Sequence, residues 1–153
     1  MIDTVDLVVV GSYYGRGKRV GFYGALLLAT YNKKNDIFET ITKCGTGFKD
    51  KDLQKLSKMM KEHRIKKKHS RVTSLIKADV WFRPFIVIEI LGSEITLSPI
   101  HTCARNIIRE GHGLAIRFPR FTGTYRLDKV AKDATTVDEI LKMYKKQLKK
   151  ING

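Results

Sequence analysis

Apolar residues in this chain recur mostly in short runs or at every second position, and they take helical spacing in only two places. Leu7 to Val10 is an apolar, valine-rich run that ends at Gly11, and Phe22 to Tyr31 is a second strand candidate, closed by the polar turn Asn32 to Asp36. Ile37 to Cys44 then alternates. Ile37, Glu39, Ile41 and Lys43 face one way and Phe38, Thr40, Thr42 and Cys44 the other, which predicts an antiparallel meander up to this point. Gly45-Thr46-Gly47-Phe48 breaks the sheet. Leu53, Leu56, Met60 and His63 predict a helix from about Asp50 to Arg64, with Asp50 and Asp52 at its positive end. Lys49 stands where a capping hydroxyl would serve, a loss of about 1 kcal/mol. Lys61 to Arg71 reads as a solvated basic loop. Val80 to Phe82, Phe85 to Leu91 and Ile95 to Leu97 return to strand. Ala115 to Phe121 is a strand bent by Pro119, which belongs at an edge or bulge. Thr136-Val137-Asp138-Glu139 is a capping box, and the helix it opens carries Ile140, Leu141, Tyr144 and Leu148 on one face.

Several short strands, one inserted helix and a C-terminal helix predict a mainly β fold. The expected architecture is a five-stranded oligonucleotide-binding (OB) barrel forming one domain over residues 1–153. Such barrels bind their ligands on one strand face and on the loops at the rim. In the terminal helix Lys142, Lys145, Lys146, Lys149 and Lys150 project away from the apolar face, and Trp81 is expected in the core. Glu89, inside an apolar run, is expected to meet a Lys or Arg.

Charge narrows the partner. Thirty Lys and Arg against fifteen Asp and Glu leave +15. An excess of that size draws polyanions, nucleic acid first and an anionic membrane surface second. Cys44 and Cys103 make neither a disulfide framework nor a metal set and read as small buried apolar residues in a reducing, intracellular compartment. The N-terminus has no basic region followed by an apolar run, and the apolar stretches are far short of a membrane span, so no membrane partner is expected. The four histidines lack ligand spacing with the cysteines, so no zinc site is predicted.

The densest chemistry lies from Arg117 to Glu139, RFPRFTGTYRLDKVAKDATTVDE. Arg117, Arg120, Arg126, Lys129 and Lys132 stand among Phe118, Phe121 and Tyr125, a composition suited to gripping phosphates beside sugars or bases. This stretch resembles the last motif of ATP-dependent DNA ligases of the archaeal and eukaryotic replicative type, R-x-D-K within RFPRF…ATT. Three further segments match that family in order: Asp3 to Arg19 (DTVDLVVVGSYYGRGKR), Lys43 with Gly45-Thr46-Gly47-Phe48, and Val80-Trp81 with Ser98-Pro99-Ile100. The resemblance spans almost the whole chain and implies the C-terminal OB domain of such a ligase. The K-x-D-G lysine of the family's adenylation domain does not occur here. The chain therefore reads as a piece of a longer protein, lacking the adenylation and N-terminal DNA-binding domains and inactive alone.

The resemblance implies roles. Arg126 and Lys129 would stabilise charge on the ATP phosphates during lysine adenylation, with Asp128 orienting one of them or pairing across a domain interface. Phe118 would wedge against the minor groove of nicked double-stranded DNA, with Arg117 or Arg120 on phosphate. Arg16, Lys18 and Arg19 in the glycine-punctuated turn, and Lys43, would contact the DNA backbone. Phe121 is expected in the core. ATP and Mg2+ would serve the full-length enzyme, with neither expected on this domain alone. A monomer is expected, hinged near Ile2 to Asp6 to the adenylation domain of the same polypeptide, on which the final helix would dock through Tyr144 and its lysines. The runner-up is a stand-alone OB module for single-stranded nucleic acid, with stacking aromatics. An RNA-capping guanylyltransferase domain is the third reading, opposed by the RFPRF and ATT segments.

Overall fold

In the computed structural model, which describes residues 3–17 and 23–152, the chain opens with the expected meander. Strands β1 (Val5–Tyr14), β2 (Tyr23–Asn32) and β3 (Ile37–Cys44) pair antiparallel in sequence order. β1 runs through Gly11 instead of stopping there. Its register shifts between Val9 and Gly11, and a Cβ on Gly11 would stand 2.8 Å from Ala78 Cβ, so this glycine marks a close crossing within a strand and not a turn.

After the loop comes helix α1 (Asp50–Lys61), shorter than expected because Arg64 and Ile65 are drawn into a two-residue strand, β4 (Arg64–Ile65). β5 (Val72–Thr73) adds parallel to β3, and β6 (Val80–Phe82) pairs with both β4 and β1. β7 (Val87–Leu91) lies along the same edge of β1 as β6, opposite β2. The next segment departs from the sequence reading. Where one bent strand was expected, the chain makes a separate hairpin, β8 (Glu94–Ser98) with β9 (Gly113–Arg117), then turns at Phe118-Pro119 into β10 (Arg120–Tyr125), which pairs with β7. Pro119 cannot donate a ladder hydrogen bond, and it separates two strands of different sheets.

The order β10-β7-β1-β2-β3 is a curled half-barrel. Its two ends meet where the Phe121 N–H donates to Thr46 O at 2.9 Å, just past β3, and β9 lies against β3 through Thr42 Oγ1 donating to Ile116 O. This is the OB barrel, with α1 in the connection between its third and fourth long strands and the β8–β9 hairpin in the connection between its fourth and fifth. The hairpin loop is tied to β3 by hydroxyls: Thr102 Oγ1 accepts from the Thr40 N–H, and His101 Nδ1 contacts Thr40 Oγ1.

Both faces of β1 are covered. Val5, Leu7 and Val9 point into the barrel with Leu28, Ile41, Ile88, Ile90 and Phe121. Val8 and Val10 point outward under Tyr31, Phe38, Val72 and Ala134. That explains the unbroken valine run, since a strand buried on two sides needs no alternation. Trp81 is half-buried at the edge of this second cluster. Cys44 and Cys103 are both buried, and burial pushes the Cys103 thiol up to about 12.

Helix α2 (Val137–Asn152) begins with the predicted box: Thr136 Oγ1 accepts the Glu139 N–H at 3.2 Å, and Glu139 Oε1 accepts the Thr136 N–H at 3.1 Å. Ile140 and Tyr144 are buried in the barrel core, while Leu148 lies at the helix's exposed edge. Gln147 makes two 2.8 Å hydrogen bonds to the backbone of Ile95. Tyr144 is therefore spent inside this domain and is not the docking residue the sequence suggested. Likewise Val5 and Asp6 are locked within β1, so neither is a hinge.

Candidate functional site

The candidate residues gather at the two ends of β10. At its exit the chain makes a turn, with the Arg126 N–H donating to Val87 O and the Lys129 N–H to Arg126 O. This turn aims Arg126 and Lys129 at the start of β1. Arg126 Nη1 donates to both oxygens of Asp6 at 3.1 and 3.0 Å, and Lys129 Nζ reaches Asp6 Oδ2 at 2.7 Å. The other edge of the guanidinium grips Asp128, Nε to Oδ1 at 3.2 Å and Nη2 to Oδ2 at 3.1 Å. Asp128 thus orients Arg126 directly. The guanidinium hydrogen bond holds the Asp128 carboxyl below its ordinary value, and the same bond raises Arg126 further. Planar two-sided pairing of this kind fixes the guanidinium plane, which a lysine could not do.

Asp6 was not singled out for chemistry in the sequence, yet it is the pivot of the cluster. Its side chain is only 13% exposed. Its backbone is fastened by Thr135, whose Oγ1 accepts the Asp6 N–H at 2.9 Å and whose N–H donates to Asp6 O at 2.8 Å. The Ala134-Thr135-Thr136 segment thus divides its work: Ala134 fills the outer core, Thr135 holds Asp6, and Thr136 caps α2. A readable signal existed, because an acid in an apolar strand must find cations to be buried at tolerable cost. Exposed Leu127, Val130 and Phe85 surround the corner, with Phe85 stacked on His63 at 4.2 Å between ring centres.

At the entrance of β10 the cations are arranged differently. Phe118 sits in the β9–β10 turn with a φ of 53° and is 70% exposed, under the Arg117 guanidinium at 4.9 Å. A bulky residue in the left-handed region is costly and persists only where its surroundings hold it. Ser93 does so, its N–H and Oγ both donating to Arg117 O. Arg117 also pairs with Glu94 at 3.3 Å across exposed surface. Phe121, three residues on, is buried and stacks on Phe48 at 4.8 Å. Burying such a ring contributes about 2 kcal/mol.

A seam of close backbone contacts places Arg120, Lys43 and Arg16 along the same rim. A Cβ on Gly45 would lie 2.6 Å from Gly24 O, opposite the exposed turn bearing Arg16, and one on Gly47 (φ +93°) would lie 2.3 Å from Phe121 O. Lys43 extends over the Tyr13 ring at 4.5 Å. Lys18 and Arg19 lie outside the described residues. Glu89 meets the Thr122 hydroxyl at 2.9 Å and makes no ion pair among the described residues, contrary to expectation. Among the described residues no helix is long and apolar enough to cross a membrane.

A family model of the ATP dependent DNA ligase C terminal region matches residues 19–129. A DNA ligase 2 of Thermofilum pendens is 60% identical over 149 residues, covering 97% of this chain and 25% of the relative. A DNA ligase of Pyrobaculum islandicum is 57% identical over 149 residues, covering 97% and 26%. The chain thus spans about a quarter of the length of these relatives. Among solved structures, the ligase domain of LigD from M. tuberculosis superposes with a TM-score of 0.63 at 21% identity, covering 87% of this chain and 38% of that one, a likeness of fold.

Proposed function

Because the chain belongs to the family of ATP-dependent DNA ligase C-terminal regions, we propose that it is the OB domain of such an enzyme, acting as a monomer in two ways. It lays the rim of Arg16, Lys43, Arg117, Phe118 and Arg120 on nicked duplex DNA, and it presents Arg126 and Lys129 to the phosphates of ATP while a lysine outside this chain is adenylated. ATP supplies the adenylyl group and loses pyrophosphate; the work of this domain is to hold positive charge where the leaving oxygens gain negative charge.

The observation that carries the nucleotide half is the shared grip of Arg126 and Lys129 on Asp6. A guanidinium and an ammonium stand side by side on one carboxylate, both more than a quarter exposed and oriented before any ligand arrives. Preorganised charge of this kind is effective because it is not rearranged during the reaction. Asp6 and Asp128 are engaged by cationic side chains and are not assigned to Mg2+ in this reading. The two tasks require the domain to turn relative to the rest of the polypeptide.

The test is lysine adenylation by the full-length enzyme carrying this chain. Arg126→Ala and Lys129→Ala should each depress formation of the enzyme–adenylate while leaving nicked-duplex binding intact. Unchanged adenylation in both variants would remove Arg126 and Lys129 from the nucleotide site.

A further inference from the structure

A cleft of about 580 Å3 lies beside the rim, between the start of α1 and β10. Four cations line it, Lys49, Lys51, Lys55 and Arg120, and only Arg120 stood out in the sequence. None of the four makes an ion pair among the described residues. The acid among them, Asp52, is already occupied: Oδ2 accepts the Lys49 N–H at 2.9 Å and Oδ1 accepts the Tyr125 hydroxyl at 3.1 Å. The Tyr125 ring in turn carries the Lys55 ammonium at 4.2 Å.

The positions of Lys49 and Lys51 run against local stability. Lys49 is the residue before the first turn of α1, where a hydroxyl or carboxylate would cap, and its side chain makes no cap. Lys51 stands in the first turn, where the helix dipole disfavours a cation. At the helix end the Lys49 amide is already taken by Asp52, and the cleft is built of side chains. Its floor is rigid, since Gly47 is pressed against Phe121 and Thr46 is hydrogen-bonded to it. Arg120 belongs to both cleft and rim, two residues from Phe118.

We propose that this cleft holds the sugar–phosphate backbone of DNA running from the Phe118 turn across α1, so that the bound duplex rests on the inserted helix as well as on the barrel. The proposal rests on the DNA-binding half of the reading above and extends its footprint to three lysines of α1 and its cap. The phosphates belong to DNA and not to ATP, because Arg126, next in sequence to Tyr125, turns away from the cleft to Asp6.

The experiment measures binding of this chain to a short nicked duplex over a range of salt. Replacing Lys49, Lys51 and Lys55 together by Ala should flatten the slope of log K against log salt by about 0.9 for each phosphate left without its lysine, about 2 to 3 in all, with at least a tenfold loss of affinity near physiological salt. Lys66→Ala with Lys67→Ala, on the exposed loop after β4, removes charge elsewhere and should change the slope by less than about 0.5. Circular dichroism melts should match or exceed wild type in the cleft variant and match it in the loop variant. An unchanged slope in the cleft variant, or an equal fall in both variants, overturns the cleft while leaving rim binding in place. Absence of any DNA binding by wild type overturns the cleft together with the DNA-binding reading. Displacement of DNA by ATP at constant ionic strength, lost in the cleft variant, overturns the assignment to DNA in favour of a nucleotide.

Discussion

The two ends of β10 use the same side chains in opposite ways. At the exit, Arg126 and Lys129 are held by Asp6 and Asp128, and the cluster sums to no net charge. At the entrance, Arg120 and the lysines of α1 have no carboxylate partners among the described residues, and Phe118 is held out in a strained conformation. Held cations suit a small, precisely shaped polyphosphate. Unheld cations suit a long polyanion whose counterions they displace, where affinity follows charge density more than angle. The difference teaches that an arginine-rich stretch is not one site, and that its carboxylates separate a geometric task from an electrostatic one.

The largest expected effect separates the ends most sharply. In the full-length enzyme, Arg126→Ala should slow lysine adenylation by about 10² to 10³-fold, measured by transfer of labelled adenylate, while affinity for nicked duplex stays within about twofold. An equal loss in both measurements would mean that the two ends act as one surface.

Gly47→Ala should damage both ends, because it strikes the seam that joins them. Its φ is +93°, and the new Cβ would stand 2.3 Å from Phe121 O and 2.8 Å from Phe121 N, backbone atoms that cannot swing aside. The expected cost is about 3 kcal/mol in urea unfolding. A cost under about 0.5 kcal/mol would show that the barrel opens readily between β3 and β10, and that the rim is not a rigid platform.

Much of this plan was legible in the sequence. The meander, the helix after Gly47, the capping box at Thr136 and the family of the chain all follow from local pattern or from motif order. What escaped was set by distance along the chain. Asp6 and Arg126 are 120 residues apart, and no local spacing announces their pairing. The division of one expected strand into β9 and β10 arises because Arg117 pairs with Glu94 while Arg120 pairs with Leu91, in different sheets. The cleft needs Lys49 to Lys55 and Arg120 to Tyr125 together, and a single backbone bond from Phe121 to Thr46 brings them so. Phe121 was expected in the core and Phe118 at the surface, and the turn at Pro119 is what makes one a surface ring and the other a core ring.

Phe118→Gly tests whether the strain at the entrance belongs to function. Glycine adopts a φ of 53° freely. The variant should therefore gain up to about 1 kcal/mol in stability and lose about tenfold in affinity for nicked duplex, about 1.4 kcal/mol. Gain in stability with loss of binding is the signature of a residue kept against its own conformational preference. A variant that bound as well as wild type would leave Phe118 no part in the interface, and the contrast between the ends would rest on charge alone.

The smallest effect concerns how far the exit corner depends on its outer acid. Asp128 is mostly exposed, and the Arg126 guanidinium lowers its carboxyl below the ordinary value of 3.8. A depressed acid contributes stability at pH values above that ordinary value and loses it as pH falls through the lowered one. Near neutral pH the pair is therefore fully formed, and adenylation should show no pH dependence from Asp128. An NMR titration of its carboxyl carbon should find a midpoint below 3.8 in wild type and a return toward 3.8 in Arg126→Ala. Asp128→Asn keeps one oxygen for the guanidinium while Asp6 keeps its own grip, so adenylation should fall only a few-fold. A fall as large as that of Arg126→Ala would show that the guanidinium plane, and not its charge, governs the exit corner, and that Asp6 alone cannot hold it.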